Sequence, residues 1–212
     1  MKLYYSPGAC SLSTRIVLHE AGISAEFERV DVRSKITDTG ADYIAINPKG
    51  SVPLLVLDDG QALTENVAIL DFLAERAPEL GLEGPLGRTR MIEMLSFLST
   101  ELHIAFKPFF HSATGLEKEN ASETASRWLD LLTELMRGEY LFGPKFTVAD
   151  AYLFAMLRWA IAFDVRMQPA MFDYSDRLAL RPAVRRSLAE EGLVVPTAQV
   201  GQAIPGSAIV AI

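Results

Sequence analysis

Along the first third of the chain apolar residues come in short runs, and beyond it they recur every three or four positions. Lys2 to Tyr5 reads as a strand, and Ala25 to Val32, with Phe27, Val30 and Val32 apolar, reads as another. Between them Leu12 with Ile16, and Val17 with Ala21, stand one turn apart. The spacing predicts a helix over about Ser11 to Ala21, entered from the turn Ser6-Pro7-Gly8 and stopped by Gly22. Arg33 to Gly40 reads as a polar loop and Asp42 to Ile46 as a short helical or irregular stretch. The turn Asn47-Pro48-Lys49-Gly50 then leads into Val52-Pro53, the apolar run Leu54 to Leu57, Asp58-Asp59-Gly60, and Gln61 to Thr64. That pattern predicts two antiparallel strands joined by an Asp-Gly turn. After Thr64 the period changes: Val67, Leu70 and Ala74 with Ile69, Leu73 and Ala77 mark an amphipathic helix opened by Glu65 and capped by Thr64.

Pro78 to Gly87 is rich in breakers and reads as an interdomain linker. Beyond it Arg88 to Phe110, Lys118 to Arg137, Thr147 to Phe163 and Leu178 to Glu191 show helical spacing, which predicts a helical bundle. Within it Phe146-Thr147-Val148-Ala149-Asp150 predicts a capping box of Thr147 with Asp150, with Phe146 packed on Ala151. The expected division is 1–80 for the α/β part, 87–195 for the helical part, and 196–212 as an apolar tail that the pattern does not place.

Composition narrows the function classes. Half of the 212 residues are apolar and 22% are charged, an ordinary globular balance. A formal charge of −7 speaks against a nucleic-acid partner. No apolar run approaches the roughly 20 residues of a membrane span, so no membrane partner is expected. Strand-like Leu3-Tyr4-Tyr5 directly after Met1-Lys2 leaves no signal peptide in the reading. A lone cysteine cannot form an intrachain disulfide, and a reducing cytoplasm is the expected compartment.

Candidate chemistry gathers at two places. Cys10 falls just before a helix, whose dipole favours thiolate. Lowering a thiol pKa by two units requires about 2.7 kcal/mol. The dipole supplies about 0.3–1 kcal/mol at exposed sites and up to about 2 in partly buried ones, so Ser11 or a histidine must help. The alternative is a small buried cysteine filling a gap. The second place is the segment from Val52-Pro53 to Asn66. A proline at the start of a strand belongs to an edge or an end of the sheet, and a backbone turned outward at Val52 could pair with an extended ligand. At the next helix start, unpaired N–H groups suit a carboxylate and the Glu65 side chain suits an ammonium. Together they describe a site for the zwitterionic end of an amino acid; the alternative is that Glu65 only complements the dipole and Asn66 is solvated. Ser96, Thr100 and His103, spaced four and three, are expected on one helical face, and Lys35 lies in a polar loop where it is otherwise a surface residue.

Lys2 to about Ala77 resembles the thioredoxin-like domain of the glutathione S-transferases: Ser51-Val52-Pro53 with Thr64-Glu65-Asn66 is similar to the stretch that holds the peptide part of glutathione. Ser6-Pro7-Gly8-Ala9-Cys10-Ser11 resembles the strand-to-helix loop of the bacterial beta class, which carries cysteine there. The Thr147 box, followed by Ala151-Tyr152-Leu153-Phe154, resembles the folding motif of the family's helical domain, so the likeness runs to about Leu193. Glu101-Leu102-His103 and Leu157-Arg158-Trp159 also resemble the family pattern, with Ser96 where asparagine is usual and Ile104 where lysine is common. The resemblance implies a thioredoxin-like α/β domain followed by an all-α helical bundle, a cis Val52-Pro53 bond, and a homodimer. It implies glutathione as co-substrate, without a metal, held by Cys10, Lys35, Val52, Pro53, Glu65, Asn66, Ser96, Thr100 and His103. Cys10, Ser11 and His103 would be catalytic, and Trp159 would stand near the pocket of a hydrophobic electrophile or serve core packing. Two alternatives share the fold: a thiol–disulfide oxidoreductase working through Cys10, and a glutathione-binding protein without turnover.

Overall fold

The computed structural model describes residues 1–194, so the tail 196–212 lies outside the described residues. The N-terminal part runs β1 (Lys2–Tyr5), α1 (Ser11–Glu20), β2 (Glu26–Asp31), β3 (Ile36–Thr37), α2 (Tyr43–Ile46), β4 (Leu54–Val56), β5 (Ala62–Thr64) and α3 (Asn66–Arg76). The strands form one sheet in the order β3-β2-β1-β4-β5. β1 pairs parallel with β2, Leu3 opposite Phe27, and antiparallel with β4, Leu3 opposite Leu55. Because side chains alternate along a strand, Leu3 and Leu55 face the large core shared with α1 and α3, while Tyr4, Val30 and Leu54 face Tyr43 of α2. Pro53 stands one residue ahead of β4, an interior strand, so the proline marks the end of a strand and not an edge of the sheet.

The helical part contains α4 (Gly87–Phe97), a π-helical turn at Leu98–Leu102, α5 (His103–Ala105), α6 (Lys107–Phe110), α7 (Gly115–Leu135), α8 (Val148–Ala162), α9 (Pro169–Ala179) and α10 (Pro182–Glu190). α8 is the centre of the molecule, buried from Val148 to Ala160, and α1 packs against both α8 and α10. The Asp150 carboxylate accepts from the Thr147 N–H at 2.8 Å and hydroxyl at 2.6 Å, from the Leu141 N–H at 2.9 Å and from the Tyr174 hydroxyl at 2.5 Å. The box therefore ties α8 to the preceding loop and to α9, well beyond its own helix end.

Four expectations need correction. The loop 33–40 contains β3, whose two residues are too few to leave a periodicity. The second part of 178–191 is α10, but Leu178 lies in the last turn of α9, because Pro182 cannot continue a helix and starts a new one. Glu65 is the N-cap of α3 and not its first turn, without a side-chain capping bond. The stretch 88–110 is not one uniform helix: the His103 N–H reaches back five residues to the Leu98 carbonyl. That wider turn offsets everything after it by one residue.

Candidate active site

The loop between β1 and α1 brings Cys10 to the N-cap of α1. Both sides of this loop are held from the helical part: the Gly8 N–H donates to Glu191 Oε2 at 2.9 Å and the Gly8 carbonyl accepts from the Trp159 indole N–H at 2.7 Å. Glu191 also receives Arg15 Nε at 3.1 Å, with both side chains buried. The Cys10 thiol is buried and directed at the Val52 carbonyl, 3.6 Å away. Burial pushes it up to about 12; the N–H groups of Cys10 and Ser11 act the other way, and the charge of Glu65 adds to the rise. The helix end acts in the expected direction and is insufficient by itself, because desolvation of the anion outweighs it. Ser11 is also buried, its hydroxyl accepting from the Ser6 N–H at 3.2 Å and donating to the Ser6 carbonyl at 3.3 Å.

Opposite the thiol, the Val52-Pro53 peptide bond is cis. Tyr43 Oη and Asn47 Nδ2 each donate to the Ser51 carbonyl at 2.8 Å, fixing the chain just before it. Lys35 and Glu65 both adopt positive φ, 60° and 67°. Non-glycine residues in that region cluster at functional sites because the conformation costs roughly 1–3 kcal/mol. Lys35 Nζ donates to the Gly50 carbonyl at 2.8 Å, and Glu65 is exposed, paired with Lys49 at 2.5 Å. Val52 thus faces the Cys10 thiol, Lys35 is tied to Gly50 just before Val52 in the chain, and Glu65 stands exposed at the start of α3.

Asn66 differs from the expectation of a solvated or ligand-facing amide. It is buried, its carbonyl accepting from Thr14 at 3.0 Å and lying 3.2 Å from the Ser13 hydroxyl, so its side chain ties α3 to α1. The π-helical turn explains a further difference. Ser96 and Thr100 stay exposed, the Thr100 hydroxyl donating to the Ser96 carbonyl at 3.1 Å. His103 turns inward: its Nδ1 lies 2.7 Å from the Tyr152 hydroxyl and its ring meets Trp159 edge-on at 4.9 Å. The three do not share a face.

Around the candidate site, Tyr152, Ser99 and Glu191 are residues that the sequence reading does not single out, and Trp159, read as pocket or core, is fully buried. Tyr152 is buried, and its hydroxyl is approached by Ser99 and Asn66, with Cys10 and Glu65 nearby. Tyr152 and Trp159 are seven apart on α8, two turns on one face, and that spacing was the available signal. Burial pushes the His103 imidazole down to about 4, so it is neutral near pH 7. Among the described residues no three His, Cys, Asp or Glu side chains gather where they could hold a metal ion, and no helix is long and apolar enough to cross a membrane.

Family models for the glutathione S-transferase N-terminal domain and C-terminal domain match residues 8–76 and 97–182. The chain belongs to the glutathione S-transferase family. The transferase is 42% identical over 200 residues to glutathione S-transferase GstA of Escherichia coli O157:H7, spanning 91% of this chain and 100% of that one. Among solved structures it resembles a bacterial beta-class glutathione S-transferase of Sphingomonas chungbukensis, with TM-score 0.84, 42% identity, and coverage of 92% of this chain and 100% of the other. A sphingomonad glutathione S-transferase complexed with glutathione matches with TM-score 0.84 and 41% identity over 92% of this chain and 100% of that one. The thioredoxin-like domain followed by a helical bundle is therefore the glutathione transferase fold, and the likeness includes the beta class.

Proposed function

We propose that this transferase conjugates the thiolate of glutathione to hydrophobic electrophiles at the Cys10 loop. The observation that carries the reading is the buried Cys10 thiol at the N-cap of α1, 3.6 Å from the Val52 carbonyl that precedes the cis bond to Pro53. In this reading the cysteinyl backbone of glutathione pairs with Val52 beside Pro53, its ammonium meets Glu65, its α-carboxylate meets the N–H groups at the start of α3, and Lys35 takes the glycine carboxylate. The sulfur then lands among the backbone N–H groups at Cys10 and Ser11 and below His103. Donors placed before the anion forms stabilise it without reorganising. Ser11 contributes by holding the turn through Ser6, and Ser96 and Thr100 reach the ligand only from the exposed side of the helix.

The Cys10 thiol is turned to the Val52 carbonyl and burial raises its pKa, which supports the conjugation reading over a disulfide exchange that needs its thiolate. We place the enzyme in the cytoplasm as a homodimer, divided into an N-terminal domain through 80 and a helical domain from 87. The test is calorimetric titration with glutathione followed by conjugation of chlorodinitrobenzene. Glu65→Gln and Lys35→Met are expected to weaken glutathione binding by roughly tenfold or more each, as lost charge-assisted hydrogen bonds would. Cys10→Ala is expected to keep conjugation. Unchanged affinity in Glu65→Gln and Lys35→Met would overturn the site, and loss of turnover in Cys10→Ala would favour the oxidoreductase reading.

A further inference from the structure

The Tyr152 hydroxyl joins the two halves of the site. It lies 2.7 Å from His103 Nδ1, and the side chains of Asn66 and Ser99 approach the same oxygen. The direction of the bond follows from the partners available. Among the described residues the imidazole is the only partner within hydrogen-bond distance of the buried Tyr152 oxygen, so an Nδ1–H aimed at it would leave the phenolic proton without an acceptor. A buried hydroxyl with a neutral imidazole at this distance donates to it, which places the ring proton on the other nitrogen.

We propose that Tyr152 is a positioning residue that fixes His103 as the neutral tautomer protonated on Nε2, making the imidazole a hydrogen-bond donor to the glutathione sulfur and not its base. This rests on the reading that His103 faces that sulfur. Because the ring takes no proton, the proton of the glutathione thiol passes to water as the thiolate forms. The electron pair of the S–H bond remains on sulfur to attack the electrophile. Burial keeps the ring neutral to about pH 4, consistent with a donor and a poor match for a base. The titratable groups facing Tyr152 are His103, Cys10 and Glu65.

The test is the nitrogen-15 spectrum of the imidazoles of the full chain at neutral pH, with and without glutathione. The chain has three histidines, so the His103 signal is assigned by its loss in His103→Asn. The expected pattern is one protonated Nε2 and one bare Nδ1. A protonated Nδ1 or an imidazolium would overturn the proposal. In Tyr152→Phe the two tautomers are expected to mix and the pKa of bound glutathione to rise by about one unit, a tenfold loss of thiolate near neutrality. Affinity for S-methylglutathione, which has no thiol, should hold. A Tyr152→Phe chain with lower thermal stability but the same tautomer and thiol pKa would reduce Tyr152 to packing and overturn it. If glutathione binds and the His103 signals do not move, the placement of His103 at the sulfur fails, even with the tautomer as expected; absence of glutathione binding would instead sink the site itself.

Discussion

Acid should destabilise this enzyme through His103, and the size of the effect can be worked out. The folded imidazole is held from its ordinary 6.5 down to about 4 by burial. As pH falls below 6.5 the unfolded chain takes up a proton there, while the folded chain does so only near 4. Stability from this residue is therefore complete above 6.5 and is lost as pH falls to 4. The difference of roughly 2.5 pH units is worth about 3 kcal/mol, a large share of a typical stability. Glu191 works against it in the same window. Burial raises that carboxyl from 4.5 to about 7, so its contribution is full below 4.5 and lost as pH rises through 7. The two nearly cancel, and Glu28 and Glu190, held down to about 2, add their own loss as pH falls below about 4.5, so the wild-type curve alone does not isolate His103. The informative quantity is the difference from His103→Asn, whose amide oxygen keeps an acceptor near the Nδ1 position for Tyr152. Urea midpoints measured for both chains every half unit, at one protein concentration, should diverge, with the variant gaining up to about 3 kcal/mol relative to wild type on going from pH 7 to 4. Parallel curves would show that the imidazole titrates normally in the fold, and the neutral donor described above would go with it.

Three other perturbations address the scaffold of the site. Asp150→Ala leaves the Leu141 and Thr147 N–H groups and the Tyr174 hydroxyl without their acceptor; a loss of about 3 kcal/mol or more is expected in urea denaturation. Glu191→Ala frees the Gly8 N–H and removes the buried partner of Arg15; about 3 kcal/mol of stability should go in urea denaturation below pH 7, and less above it, where the carboxyl's own contribution is lost. Trp159→Phe keeps an aromatic ring against His103 but loses the bond to the Gly8 carbonyl; it should lower the thermal midpoint and weaken glutathione binding by calorimetry, the second because the Cys10 loop loses one of its anchors.

The sequence was most informative where local chemistry and periodicity agree. The Asp-Gly hairpin of β4 and β5, the helix from Ser11 and the Thr147–Asp150 box are set by neighbours within a few residues, and each was legible. β3 was not, since its two residues form a strand only by pairing with β2. Pro182 announced a helix start, yet apolar positions on either side kept one period and hid the break between α9 and α10. The candidate site shows the same division. Cys10, Lys35, Val52, Glu65 and His103 were named from local pattern and family likeness, but their surroundings depend on partners far along the chain. A helix end next to Cys10 predicts a lower thiol pKa; the covering by Val52 and Tyr152 that reverses it is tertiary. The extra residue in the turn Leu98–Leu102 left no mark in the spacing of Ser96, Thr100 and His103, and only the fold shows which of them turns inward.

The clamp on Gly8 has a consequence for how the enzyme is made. Its two anchors lie 151 and 183 positions further along the chain. A ribosome that has finished the whole α/β module has produced neither of them, so the newborn sheet can form while the Cys10 turn beside it stays without its fastenings. Competence arrives only with the last described helix, and grafting the first module onto a foreign helical partner would require carrying over the tryptophan and the glutamate that complete it.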